Sequence, residues 1–448
     1  MTKLKLLWSN LRGSFWFLPT LILAASIVLA VGLIEADFTG NKQWAERWPR
    51  MFGAGAAGAR GMLSTIAGSM MTVVGVTFSM TLVTLALASS QYTSRILRNF
   101  MRDRVTQVVL GIFSGIFIYC LIVLRTIRAG DEGGFVPNLA VSVAVVLAVG
   151  GIGVLIFFIH HIASSIQAAS IIASVATETL KAVDRLFPGR LGHGPMEDDA
   201  PPYLHLLPDR EWQAVRVHEN GYIQSVDNAA LIRVARRQKV IVRMERGVGE
   251  FVVDGTPLVS LAQDAKLNEE TIAELKAAFS IDRHRTVEQD AAFGIRQIVD
   301  IALRALSPGI NDSTTAAMCL DYLTAILAKV VSRQIPSAHR YEEGELRVIA
   351  IGPGFASLVA GSFDEIRGCA AGNVAIMLRM LDALQTIGGL TDDTNRRRIL
   401  REQLTCISEV GPPSIPSRND RARFEERLTQ VRMSLGDEQV PAPHHEPQ

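Results

Sequence analysis

Over the first 160 residues, apolar positions come as unbroken runs, without the alternation of a strand or the single stripe of a surface helix. Four runs stand out: Phe15–Ile34, Met62–Ala88, Val105–Leu124 and Val136–Ile159. Each reaches the roughly 20 residues that a helix needs to cross a hydrocarbon core about 30 Å thick. After Lys181 the pattern changes, as charge becomes frequent and apolar positions return in helical stripes and short alternating segments. The pattern predicts a membrane α-helical part of about four transmembrane helices in residues 1–165, followed by a cytoplasmic α+β domain.

A stripe of Ile162, Ile166, Ala169, Ile172, Ala176, Leu180, Val183 and Phe187 extends the fourth helix to Pro188-Gly189. It predicts an amphipathic juxtamembrane helix over 166–189, which needs a partner surface, either the chain's own domain or another copy. Residues 190–208 read as a linker. A small β-rich module is expected over 209–265, with strands at Gln213–His218 and Tyr222–Val226 joined by an Asn220-Gly221 hairpin turn. Asp227 would cap a short helix, and Val240–Met244, Phe251–Val253 and Pro257–Leu261 would add strands. A helical bundle with one strand, Leu346–Ile351, is expected over 266–435. The Pro-, Glu- and His-rich tail 436–448 is expected to be disordered.

Composition supports this division. Of 448 residues, 48% are hydrophobic and 20% charged, and the net charge of +1 offers no basic face for nucleic acid. The four cysteines lie far apart without CxxC spacing, so neither a disulfide nor a metal site is expected. His160 and His161 are adjacent, about 100° apart on a helix, and read as interfacial residues in place of a metal pair. Arg95, Arg98, Arg102 and Arg104 crowd the link between the second and third runs, where they could contact lipid phosphates. With Lys3, Lys5 and Arg12 before the first run, they put both termini in the cytoplasm of a multi-pass bacterial inner (plasma) membrane protein.

Two clusters carry candidate chemistry. In the second run, Gly61, Thr65, Gly68, Thr72, Gly75 and Ser79 fall on one helix face. Such a face either lines a pore with its hydroxyls or forms a close helix seam whose hydroxyls bond their own backbone. In the carboxyl half, Arg296, Asp300 and Arg304 form an i, i+4, i+8 ladder. With Arg285, Gln289, Ser307, Asn311 and Asp312 they either build an anion pocket at a helix start or neutralise one another as a structural hairpin.

GEFVVDGTPLVSL resembles half-motifs of lipoyl- and biotinyl-type carrier folds, but its turns hold no lysine, so no covalent cofactor is expected. RTVEQDAAFGIRQIVDIALRALSPGIND, with ASSQYTSRILRNFMRDRVTQ and FIHHIASSIQ upstream, resembles the bacterial predicted membrane proteins catalogued as domain of unknown function 2254. That resemblance covers roughly residues 10–430 and implies a membrane location with a cytoplasmic carboxyl domain, but no activity. Ser313 stands where the family motif commonly continues with proline.

No HExxH, P-loop or GxSxG occurs, and an enzyme is not expected. The leading expectation is a homo-oligomeric channel or transporter with a cytoplasmic regulatory domain, with the lipid bilayer and further copies as partners. The alternative is a membrane-anchored sensor or scaffold whose cytoplasmic domain binds a small anionic ligand or a protein.

Overall fold

The computed structural model describes residues 16–39, 55–91, 103–128, 135–187, 212–262 and 268–436. The expected linker, the arginines Arg95, Arg98 and Arg102, and nearly all of the expected tail lie outside these residues. The chain divides into two compact units, Met1–Gln167 and Ala168–Gln448.

The first unit contains α1 (Phe17–Thr39), α2 (Ala56–Gln91), α3 (Arg104–Thr126) and α4 (Asn138–Ser165). α3 is the central helix, packed by the other three, and half of its apolar window is buried. The other three turn most of their apolar surface outward: Phe38 is 74% exposed and Val146 68%. Apolar surface this extensive is not found on the water-facing side of a soluble protein. The helix ends answer one another. Asp37 of α1 accepts from Leu139 N and Ala140 N at the start of α4, at 3.2 and 3.1 Å. Arg60 of α2 donates to Ile127 O after α3 at 2.8 Å. At the other end Asp103 caps α3 and meets His161 Nε2 at 2.9 Å.

The second unit opens with α5 (Ala168–Leu186), then β1 (Trp212–Arg216), β2 (Gly221–Val226), α6 (Asn228–Gln238), β3 (Ile241–Met244), β4 (Phe251–Val252) and β5 (Pro257–Ala262). α7 (Glu269–Ala277), β6 (Phe279–Asp282), α8 (Ala291–Ala305), α9 (Ser313–Val331), β7 (His339–Glu342) and β8 (Glu345–Ile349) follow. The chain then runs through α10 (Phe355–Cys369), α11 (Val374–Gly388), α12 (Thr394–Ser414) and α13 (Arg418–Ser434). A five-stranded sheet, β1-β5-β3-β8-β7, and a three-stranded sheet, β4-β2-β6, share one core with α6 and α7. Ile223, Leu231, Val242 and Leu261 are fully buried in it. All strand pairs are antiparallel except β3 with β8.

Three expectations change. The Asn220-Gly221 hairpin does not form, because β1 pairs with β5 while β2 pairs with β4 and β6. Asn220 Oδ1 instead accepts from Asp254 N at 2.9 Å, and Gly221 sits so close to β6 that a Cβ would lie 2.8 Å from Asp282 O. The fourth apolar helix does not run on to Phe187. It stops at Ser165, where the Ser164 and Ser165 hydroxyls donate back to His160 O and His161 O, a local competition that favours helix ends. α5 starts afresh at Ala168, and Ala169 is exposed.

The third change concerns α5's partner. Its buried face, with Ile172, Val175, Ala176, Thr179 and Val183, packs on α8 and α9 of its own unit, which settles the choice left open by the stripe. The α5–α8 contact is tight: a Cβ on Gly294 would come within 2.0 Å of Thr179 Oγ1. Five described helices are long and apolar enough to cross a membrane, four in the first unit and α9 in the second.

Candidate functional site

The RTVEQD segment connects β6 to α8 and holds the most constrained charges of the second unit. Asp290 is the N-cap of α8, its Oδ1 accepting from Phe293 N at 2.9 Å. Its Oδ2 accepts from Arg285 Nε and Nη2 at 3.0 and 2.7 Å, and the guanidinium lies 4.9 Å from the Phe293 ring centroid. Burial pushes the Asp290 carboxyl up from its ordinary range, against the opposing pull of Arg285. Gly249, at φ +87°, presses its backbone on this pair; a Cβ there would sit 2.3 Å from Asp290 Oδ2. Gln289 Oε1 accepts from Val226 N at 3.1 Å, tying the segment to the end of β2.

These residues form one wall of a cleft of about 470 Å³. The other walls are the end of α5 (Leu186, Phe187), the turn before β4 (Gly247, Val248, Glu250), the segment from Ile335 to Arg340, and the Ile351-Gly352-Pro353-Gly354 approach to α10. Four charged side chains line it, and three are matched. Arg285 and Asp290 pair with each other, and Glu250 accepts from Gly247 N at 2.9 Å and meets Arg246 at 3.3 Å. The fourth is Arg340. Among the described residues its guanidinium has no hydrogen bond or ion pair, and burial lowers its pKa from the ordinary arginine value. α10 begins at this cleft with Gly354, which offers no side chain to cap it.

Of the eight anticipated pocket residues, only Arg285 and Gln289 line the cleft. Arg296 spends its charge elsewhere, donating to Asp300 Oδ1 at 2.7 Å and reaching Glu365 of α10. Asp300 is thus part of an ion pair that ties α8 to α10, and Arg304 is exposed. Ser307 Oγ donates to Arg304 O at 2.7 Å, and Asn311 takes a left-handed φ of 49° in the turn. Asp312 caps α9 through Thr315 N at 3.0 Å. Arg340 and its neighbours His339 and Ser337 had no sequence signal, since Arg340 stands close to Glu342 and Glu343 in a charge-balanced stretch.

In the first unit, Gly61, Thr65, Gly68, Thr72, Gly75 and Ser79 are all exposed, and nothing approaches a Cβ built at Gly61, Gly68 or Gly75 within 4 Å. α2 packs instead through Ala59, Leu63, Ala67 and Met70. The close seam of this unit belongs to α3. Cβ atoms on Gly111 and Gly115 would lie 3.0 Å from Pro19 Cα and 2.4 Å from Ser26 Oγ of α1. Arg104, the described member of the lipid-phosphate candidates, is exposed at the first residue of α3.

The family model described as predicted membrane protein, domain of unknown function 2254, matches residues 12–386. The chain belongs to that family. Uncharacterized proteins of Mycobacterium bovis and Mycobacterium tuberculosis are 30% identical to it over 438 residues, which cover 94% of this chain and 81% of theirs. No solved structure matches the chain. The DUF2254 match takes in the membrane-type helices and every residue of the cleft, and ends within α11.

Proposed function

We propose that this protein is a membrane-anchored binding protein whose second unit holds a small anionic ligand in the cleft at Arg340. The observation that carries the reading is the charge balance of that cleft, in which one half-buried cation lacks, among the described residues, the partner that each other charge has. A cation withdrawn from water without a counter-charge is costly, and an anion arriving beside it recovers that cost. The uncapped start of α10 adds the positive end of a helix dipole. The reading is one of binding without turnover.

In this proposal α1 to α4 cross a bacterial inner membrane, with both termini and the second unit in the cytoplasm. α9 is read as an internal helix because Cys319, Leu320, Leu323, Ile326 and Leu327 are fully buried within the second unit. Reporter fusions at Asn41 and Asp131 are expected to report the outside, and fusions at Met101 and Met196 the inside. Reversed polarity or an odd number of spans would end the topology.

A second reading, the homo-oligomeric channel or transporter, draws on the exposed small-residue face of α2. It is weakened by the hydroxyls, since Thr65 and Thr72 donate to Gly61 O and Gly68 O of their own helix. Its other support, a self-pairing juxtamembrane helix, is gone because α5 is covered by α8 and α9. One experiment separates the two readings. Full-length protein in nonionic detergent is screened by thermal shift against phosphate, sulfate and acetate, beside an anion-flux assay in liposomes. The binding reading expects stabilisation that disappears in Arg340→Gln, following RT ln(1 + [L]/Kd). Flux that survives Arg340→Gln, with no thermal shift in the parent protein, favours the channel.

A further inference from the structure

Resting on the anion-binding reading, we infer that the ligand is an amphiphilic organic anion, with a phosphate or carboxylate head at Arg340 and an apolar body against the rest of the cleft. Size is the first ground. At about 470 Å³ the cleft lies within the roughly 300–1,000 Å³ range of sites for drug-sized ligands. A water occupies about 30 Å³ of liquid, so an inorganic anion would leave most of this space to solvent.

The walls are the second ground. Phe187, Met244, Ile335 and Ile351 line the same cleft as Arg340. Ile351 is 41% exposed and faces the same cleft. Water held against these residues would gain nothing from them, whereas a hydrocarbon or ring body would cover Ile351 and release that water. Charge and apolar surface are thus offered together, which suits a molecule that carries both. The apolar wall also includes the end of α5, at Phe187, whose carbonyl accepts from Arg333 Nη1 at 3.2 Å. Arg333 in turn pairs with Asp184 of α5 at 2.6 Å, and the cleft wall from Ile335 to Arg340 follows two residues later in the chain. A body in the cleft therefore lies against the carboxyl end of α5.

The test uses full-length protein in nanodiscs and three probes: inorganic phosphate, hexyl phosphate and neutral hexan-1-ol. Heptanoate is added to compare head groups. Each buried methylene multiplies affinity roughly fourfold, so hexyl phosphate is expected to bind at least tenfold tighter than inorganic phosphate. Hexan-1-ol is expected to bind at least tenfold weaker than hexyl phosphate. Arg340→Gln is expected to weaken hexyl phosphate and inorganic phosphate alike by tenfold or more. Ile351→Ser, at an exposed position that the fold does not need, is expected to weaken hexyl phosphate several-fold and leave inorganic phosphate unchanged. If hexyl phosphate binds no tighter than phosphate while Arg340→Gln abolishes both, the amphiphile inference falls and the anion site stands. If hexan-1-ol binds as well as hexyl phosphate, the charged head is not recognised and the inference falls. If neither phosphate binds, or both bind equally to Arg340→Gln, the anion site itself is overturned. A preference between heptanoate and hexyl phosphate identifies the head group.

Discussion

Each unit has a tight helix seam in which a glycine leaves room for a hydroxyl side chain of the neighbouring helix: Gly115 against Ser26 in the first, Gly294 against Thr179 in the second. Around those seams the polar side chains behave differently. In the first unit the outward hydroxyls of α2 are answered locally, and partners on other helices are met mainly near the helix ends. The hydroxyls of Thr65, Thr72, Thr81 and Thr84 each donate to the carbonyl four residues back. In the second unit they join elements far apart in the chain, as Asp184 does with Lys329 and Arg333, Asp321 with Arg379, and Asp382 with Arg427. The contrast follows from the surroundings each surface is built for. A hydroxyl on the outward face of an apolar membrane-type helix is satisfied by its own backbone, the partner that needs no water. Water supplies the hydrophobic drive for assembly, and charge pairs at the margin then fix how the elements register.

The largest effects should come from the two seams themselves. Gly115→Leu and Gly294→Leu are each expected to prevent folding of their own unit, whereas Gly68→Leu on the open face of α2 leaves the folded yield unchanged. Expression and gel filtration in detergent check all three. A Gly68→Leu chain that folds but changes mass would show that another copy covers α2, and one that fails to fold would remove the comparison.

Next in size is the buried pair behind the cleft. Asp290→Asn leaves Arg285 facing a region built for a carboxylate, and loss of one partner from such a pair costs about 3 kcal/mol or more. Chemical denaturation should show that loss in the second unit alone. Replacing the half-buried Asp37, which accepts from the start of α4, by Ala in the first unit should cost about 1 kcal/mol. Equal costs would mean that the second unit's charges are no more buried than the first unit's.

A smaller effect with a pH signature comes from Asp312. Its carboxyl is held below its ordinary range by hydrogen bonds from Thr315. A lowered folded pKa gives stability that is complete above the unfolded value, about 4, and lost as pH falls through the lower folded one. Asp312→Ala is therefore expected to cost about 1 kcal/mol near neutral pH. Its deficit should shrink when melting is measured below about pH 4. A deficit independent of pH would assign the loss to the turn and not to the charged cap. Smallest of all is Thr72→Val, expected within about 0.5 kcal/mol of the parent because its hydroxyl serves only its own helix. A clear loss of assembly or flux in that variant would restore the pore reading of α2.

What could be read from the chain was whatever one element states by itself. The four apolar runs reappear as α1 to α4, and Asp227 caps the helix it precedes. The six-residue stripe of α2 was a strong pattern that pointed to a seam the chain does not make with itself. The pair Gly111 and Gly115 was a weaker pattern that does make one. Periodicity locates a face, but the face that meets a neighbour depends on the neighbour's shape, here Pro19 and Ser26 of α1.

The sequence by itself determined the four apolar helices, the change to a charged second half and the place of several elements within it, because run length, periodicity and caps act within one element. The tertiary structure alone decided the sheet pairing that parts β1 from β2, the covering of α5, and the separation of Arg285 from Arg296 and Arg304. It alone brought Arg340 to the wall where Arg285 and Gln289 stand. Whether a charge has a partner is a property of distances between segments, and residues 55 positions apart, as Arg285 and Arg340 are, reveal theirs only once the chain has folded.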